Sequence, residues 1–357
     1  MTDDIRADAG PATPARRPAL RRYALSGAQA LVLLLLLDGF VDVAYPTVRA
    51  VVLAARPSER SPDWAGYRAR VVPGLGALVE PVAREGLNVD ALGRRSTGNS
   101  PRNGAHGVLL GSSQAFGHHV ADDATIGAAI ERQRPDVSLS VIAGPARTTA
   151  ESMVNWQRVA EKIDAPDFVI FLFSNVELFM ACKPQEANTP PRHEPALLSV
   201  PARALRRIST EGTRFPCSTP EARAAVVERS LYELRAAVAY GRARNPHFAV
   251  AIAPLVYGND SNAASQRRKF HADQIKSLDM AVRAFRARIA AENIPGVIDL
   301  SDVFDGKGDS YFIDRASHFN REGADLLAAR MLERLPKDFS RMLAAPAVAA
   351  RSASKSP

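Results

Sequence analysis

The stretch Val108-Leu-Leu-Gly-Ser-Ser-Gln-Ala-Phe-Gly117 decides how the rest of the chain is read. An apolar run stops at Gly111, gives way to two serines, and closes on a second glycine. That pattern is a buried strand whose C-terminal end opens into a turn. In open α/β sheets, ligands bind at that end. A serine there is placed to be a nucleophile if a base can reach it. The plainer reading is a Gly/Ser turn leaving a strand. The remaining sequence chooses between them.

Downstream, apolar runs and helical patterns alternate. The runs are Val108–Leu110, Val137–Ala143, Phe168–Phe173, Phe248–Ala253 and Val297–Leu300. Between and after them, Val227, Leu231, Leu234 and Val238 share one helix face, as do Ile275, Leu278, Val282, Phe285 and Ile289. Leu327, Met331 and Leu335 line the last helix. Continuous apolar strands between amphipathic helices predict an α/β fold with a parallel sheet of about five strands covered on both faces. Upstream, Leu87 and Val89 alternate with polar residues and precede Gly93, which predicts a short strand and a turn. Gly98 to Gly107 is expected to link this region to the first long strand.

The chain has 357 residues and a net charge of +8. Its arginines are scattered, without a basic stripe interleaved with aromatics, so no nucleic acid partner is expected. The two cysteines, Cys182 and Cys217, form no Cys-x-x-Cys pair, which argues against structural zinc. Both lie in one Pro-rich segment. In an oxidising compartment they could close a loop as a disulfide; two unpaired thiols is the other reading.

Residues 1–22 read as a disordered tail ending in Arg16, Arg17, Arg21 and Arg22. Residues 23–45 contain the run Ala30-Leu-Val-Leu-Leu-Leu-Leu-Leu37 and reach about the 20 residues a bilayer needs. A basic flank before an apolar run marks a signal peptide or a membrane anchor. With no small-x-small cleavage site after it, an uncleaved single-pass anchor in the inner membrane is expected, with the C-terminal domain on the periplasmic side. Asp38 and Asp42 share one helix face and should meet a protein partner or the outer interface. Residues 46–106 form a neck with short strands. The segment 183–220 is an insertion that suits a lid or a binding loop, and 339–357 reads as a second disordered tail.

Four positions follow predicted strands or precede the last helix: Ser113, Gly144, Asn175 and His318. All should converge on one edge of the sheet. The chemistry they support is acyl transfer. A serine hydroxyl needs a base to take its proton, and His318 can serve near neutral pH. Asp314 could hold the imidazole tautomer and stabilise its charged form. The backbone N–H groups of Ser113 and Gly144 and the Asn175 side chain suit an oxyanion hole. This set requires no cofactor, and no metal site is expected. His118 and His119 are adjacent and would point apart on a strand; they read as rim residues. Asp122-Asp123 before Ala-Thr-Ile reads as a helix N-cap.

These motifs together resemble the SGNH (GDSL-like) hydrolases, over about Gly107 to Leu335. Gly111-Ser112-Ser113 is similar to the Gly-Asp-Ser block, with Ser112 in place of the aspartate. Gly144 falls where the second-block glycine is expected, Asn175 matches the third-block asparagine, and His318-Phe-Asn-Arg-Glu-Gly323 is similar to the last block. The segment from Asn88 to Arg94 is similar to one in membrane-anchored or exported bacterial members. Two departures stand out. Only the asparagine of the third block survives, in Phe173-Ser-Asn-Val176. One extra residue separates Asp314 from His318, so the turn absorbs it, or Asp302, Asp305 or Asp309 serves instead, or a Ser–His dyad operates.

The resemblance implies a three-layer α/β/α sandwich over 107–338. It implies a serine esterase or O-acyltransferase acting through an acyl-enzyme on Ser113. Its substrate would be an extracytoplasmic ester, or an acylated cell-surface polysaccharide or lipid, and a multi-span membrane acyltransferase would be a natural partner. The alternative is a non-catalytic, membrane-tethered scaffold that binds a glycan or such a partner through the same cleft.

Overall fold

The computed structural model describes residues 69–72, 76–99, 104–174, 176–182, 216–257, 272–307, 311–314, 317–337 and 339. The predicted tail at 1–22, the predicted anchor at 23–45, most of the 183–220 insertion and all of the predicted 339–357 tail except Phe339 lie outside them. Among the described residues, no helix is long and apolar enough to cross a membrane.

Five strands form one parallel sheet: β5 (Ala105–Gly111), β6 (Val137–Ala143), β7 (Phe168–Phe173), β8 (Phe248–Ile252) and β9 (Val297–Asp299). Their order is β6-β5-β7-β8-β9. The chain steps from β5 outward to β6, then crosses back to the other side of β5. That reversal makes the C-terminal ends of β5 and β7 the topological switch point, where a crevice opens. Ser113 lies two residues beyond the end of β5, after Ser112.

The predicted strand runs match the observed ones closely, because the central strands are buried on both faces. All six residues of β7 are buried, and so are all five of β8. The difference is at the start of β5. It begins at Ala105, within the segment read as a linker.

Helices α1 (Ser113–Phe116), α2 (Ile126–Gln133), α3 (Thr149–Ala160), α4 (Val176–Ala181), α5 (Pro220–Arg244), α6 (Ala272–Glu292) and α7 (Arg321–Arg334) follow the strands. Right-handed crossovers put α2 and α7 on one face, where Arg132 and Gln133 both bond Asp325. They put α3, α5 and α6 on the other. The starts of these helices are written locally. Thr125 caps α2, Thr148 and Glu151 form a capping box on α3, Thr219 with Pro220 opens α5, and Asn320 caps α7.

The neck holds two antiparallel hairpins, β1 (Ala69–Val72) with β2 (Gly76–Val79) and β3 (Val82–Arg84) with β4 (Leu87–Val89). The second is joined to the edge strand β6 through Arg95, whose N–H donates to the Val141 carbonyl. Cys182 and Cys217 are bonded as a disulfide with their Cα atoms 5.1 Å apart, which resolves the alternative that the sequence left open. Phe339, assigned by the sequence to the tail, is buried against Phe168. Trp156 is a packing residue, stacked on Phe248.

Candidate active site

The apolar pull of β5 ends at Gly111, and Ser112 turns the chain into α1. The Ser112 side chain is buried and donates to the Ser174 hydroxyl at 2.7 Å. Ser113 is the first residue of α1 and is half-buried. As a first helical residue, its N–H has no carbonyl one turn back. The helix is a single turn. Gly117 ends it at φ +71, and a Cβ there would lie 2.5 Å from Thr125 Cγ2. The chain therefore turns sharply into His118 and His119.

The base arrives from the loop ahead of α7. Phe312 and Phe319 pair as an antiparallel bridge, and the Ile313 N–H donates to the His318 carbonyl at 2.8 Å. Within this loop, Ser317 takes φ +67. That left-handed residue is how the backbone accommodates the extra position between Asp314 and His318. Ser317 is locked from outside the loop: its hydroxyl accepts from the Val256 N–H at 2.9 Å, and its carbonyl accepts from Gln114 Nε2 at 2.7 Å.

His318 Nε2 lies 2.8 Å from Ser113 Oγ, and His318 Nδ1 lies 2.6 Å from Asp314 Oδ2. The His318 N–H also donates to Asp314 Oδ1 at 3.2 Å. Burial pushes the Asp314 carboxyl up, but hydrogen bonds from His119 and His318 outweigh it and hold the group well below the usual carboxylate range. An ionised carboxylate only accepts. Nδ1 of His318 must then carry the proton, and in the neutral ring Nε2 is left as the acceptor facing Ser113. Asp302 and Asp305, the other described carboxylates the sequence offered, are engaged elsewhere by Arg334 and Arg286. Asp309 lies outside the described residues.

The other two sequence candidates differ. Gly144 stands beside the end of β5, and its N–H donates to the Gly111 carbonyl at 3.3 Å. A Cβ on Gly144 would lie 2.7 Å from Arg147 Nε. Burial, with Arg158 nearby, lowers the Arg147 guanidinium to about 10, against the pull of Glu151. Asn175 lies outside the described residues.

Two sequence expectations are corrected here. His118 and His119 do not point apart. They sit in a turn, not on a strand, and His119 takes φ +72, which swings the rings to 4.1 Å between centroids. Both rings lie beside His318, at 4.8 and 5.4 Å. His119 Nε2 is 3.3 Å from Asp314 Oδ2. Burial, then the neighbouring His318 and His119, lowers His118 to about 3, so it is neutral at ordinary pH. Asp122 and Asp123 are not the N-cap of α2; Thr125 is. Asp122 instead accepts from Arg95 Nε at 2.5 Å and from Asn88 Nδ2 at 2.6 Å.

Sequence reasoning missed Arg95 and Gln114. Arg95 is 2 % exposed and also donates to the carbonyls of Gly86, Phe116 and Val120. It ties the neck to the turn that carries His118 and His119. No local pattern marks it, because all its acceptors except Gly86 are distant in sequence. Gln114 is buried directly after Ser113 and spans to the base loop. Its only sequence signal is its position.

No family model matches the chain, and no curated protein does. Solved structures that are similar include a lipolytic protein of the G-D-S-L family from Veillonella parvula, with 12% identity over 64% of this chain and 97% of that one and a TM-score of 0.37. The esterase EstA of Pseudoalteromonas sp., inhibited by monoethylphosphonate, has 13% identity over 66% and 98% with a TM-score of 0.36. A family two carbohydrate esterase from Clostridium thermocellum, in complex with cellohexaose, has 9% identity over 68% and 67% with a TM-score of 0.37.

Proposed function

We propose that this protein is a serine-dependent ester hydrolase or O-acyltransferase. One observation carries the reading: an unbroken relay from Ser113 Oγ through His318 to Asp314, at 2.8 and 2.6 Å. Its parts are of the type and geometry that activate an alcohol. Ser113 Oγ attacks an ester carbonyl as its proton passes to His318 Nε2, and Asp314 stabilises the imidazolium. Collapse of the tetrahedral intermediate releases the alcohol, which takes that proton, and leaves the acyl group on Ser113. Water or an acceptor hydroxyl then attacks the acyl-enzyme, giving up its proton to His318, and Ser113 is regenerated. The Ser113 N–H is the first donor offered to the oxyanion. The family resemblance assigns the Gly144 N–H and the Asn175 side chain as the other two groups; in this structure the Gly144 N–H is bonded to the Gly111 carbonyl.

The substrate in this reading is an ester on an extracytoplasmic polysaccharide or lipid. The basic flank and apolar run at 23–45 support a membrane anchor, and the Cys182–Cys217 disulfide suits an oxidising compartment. Asp38 and Asp42 would offer the anchor a polar face for a multi-span acyltransferase.

The test is a fluorophosphonate probe with p-nitrophenyl acetate hydrolysis alongside. Labelling and hydrolysis are expected in the wild type and in Ser112→Ala and absent in Ser113→Ala. A folded wild type that shows neither overturns the reading. Adding a carbohydrate acceptor separates the two reactions: a transferase passes the acyl group to it, and a hydrolase releases the acid.

A further inference from the structure

We propose that His119, Asp314 and His318 also form a binding site for a divalent transition metal such as zinc, and that filling it switches the nucleophile off. The binding half stands on geometry alone. The switching half rests on Ser113 being the nucleophile, as argued above.

One ligand atom from each of the three residues falls within a span of 4.8 Å; the widest separation is between the two imidazoles, which must close by about 1.4 Å to reach tetrahedral spacing. Zinc holds nitrogen and carboxylate ligands at about 2.0–2.2 Å, which sets tetrahedral ligands about 3.4 Å apart. His119 Nε2 and Asp314 Oδ2 already stand at 3.3 Å. His318 Nδ1 and Asp314 Oδ2, at 2.6 Å, need to part by less than about 1 Å. The His119 and Asp314 side chains keep 32% and 27% of their exposure, so an ion has a way in and a water can complete the shell. Two imidazoles and one carboxylate favour zinc, copper or nickel over magnesium and calcium.

Occupancy changes what His318 can do. In the relay, Nδ1 carries the proton and Nε2 accepts from Ser113. A metal needs the Nδ1 lone pair. The ring proton must then sit on Nε2, where it points at Ser113 Oγ. The net charge of the ring is unchanged, yet the serine has lost its base. Asp314 is drawn to the ion at the same time and no longer orients the imidazole.

The experiment uses the full chain. Zinc chloride titrated by calorimetry is expected to bind saturably. Fluorophosphonate labelling should fall in step with occupancy, recover with EDTA, and stay unchanged with magnesium. His119→Asn removes one ligand with a residue that tolerates the left-handed backbone. It is expected to weaken zinc binding by more than about 10-fold. Its labelling, taken relative to its own zinc-free rate, should resist zinc by the same factor. Zinc affinity unchanged in a folded His119→Asn, or labelling that persists at full occupancy, overturns the proposal. If the wild type never labels, the esterase reading fails, and the calorimetry still decides the metal site.

Discussion

On one side of the site, Ser113 follows a seven-residue parallel strand whose last five residues are buried, and opens a single helical turn. On the other, His318 sits in a loop whose shape depends on Ser317 at φ +67 and on bonds from Gln114 and Val256. The serine is placed by the sheet, and its position would survive most changes to the loops. The histidine is placed by a few side-chain bonds from distant parts of the chain. The base half is therefore the fragile half, and substitutions that spare the sheet can still disable the site.

The largest effects should come from breaking the relay where the halves meet. Ser113→Ala and His318→Ala are expected to remove esterase activity to near background. Asp314→Asn should lower kcat by about 10⁴-fold, since it removes the carboxylate that sets the tautomer. Steady-state kinetics with p-nitrophenyl acetate checks all three, and an Asp314→Asn enzyme within a few-fold of wild type would show that His318 needs no partner.

Next comes the buried ion pair under the histidine turn. Arg95→Met leaves Asp122 buried without its charge partner, and urea unfolding should show a loss of about 3–5 kcal/mol. If the turn were held mainly by its own backbone, the loss would be much smaller.

Gln114→Leu tests the bridge between the halves more gently. Gln114 Nε2 donates to the Pro254 carbonyl at 3.3 Å as well as to that of Ser317, and removing both bonds is expected to cost about 1–3 kcal/mol of stability. It should lower kcat more than it raises KM, because it loosens the base and leaves the substrate cleft. An unchanged kcat would mean that the loop keeps its shape without the glutamine.

The last effect concerns acid and shows only as pH falls. His118 is lowered from 6.5 to about 3 in the folded chain. Between those values the unfolded chain binds the proton and the folded chain does not, so stability falls as pH drops from about 6.5 toward 3. His118→Phe should flatten the slope of Tm against pH in that window. A slope equal to that of the wild type would assign the acid sensitivity to other groups.

Much of this was legible in the sequence. The parallel sheet could be read because strands buried on both faces must be apolar throughout, as Phe168–Phe173 is. Ser113, Asp314 and His318 could be singled out because a strand end and a pre-helix loop are where an α/β fold presents reactive groups. The pairing of His118 and His119 was misread, because adjacency rules for strands do not hold after the left-handed Gly117. Asp122 was misread as a cap, because its partner Arg95 is 27 positions away.

The chain's own pattern determined which residues form the sheet, which faces of its helices are apolar, and which side chains have the chemistry for acyl transfer. Those are local properties, carried by hydrophobic period and side-chain type. Only the tertiary structure decided that Asp314, rather than Asp302 or Asp305, holds His318. Only it paired Cys182 with Cys217, brought His119 onto the same carboxylate, and placed Arg95 beneath the turn. Those outcomes depend on distances between groups remote in sequence, and hydrogen-bond geometry at 2.6 to 3.3 Å is not encoded in any local pattern.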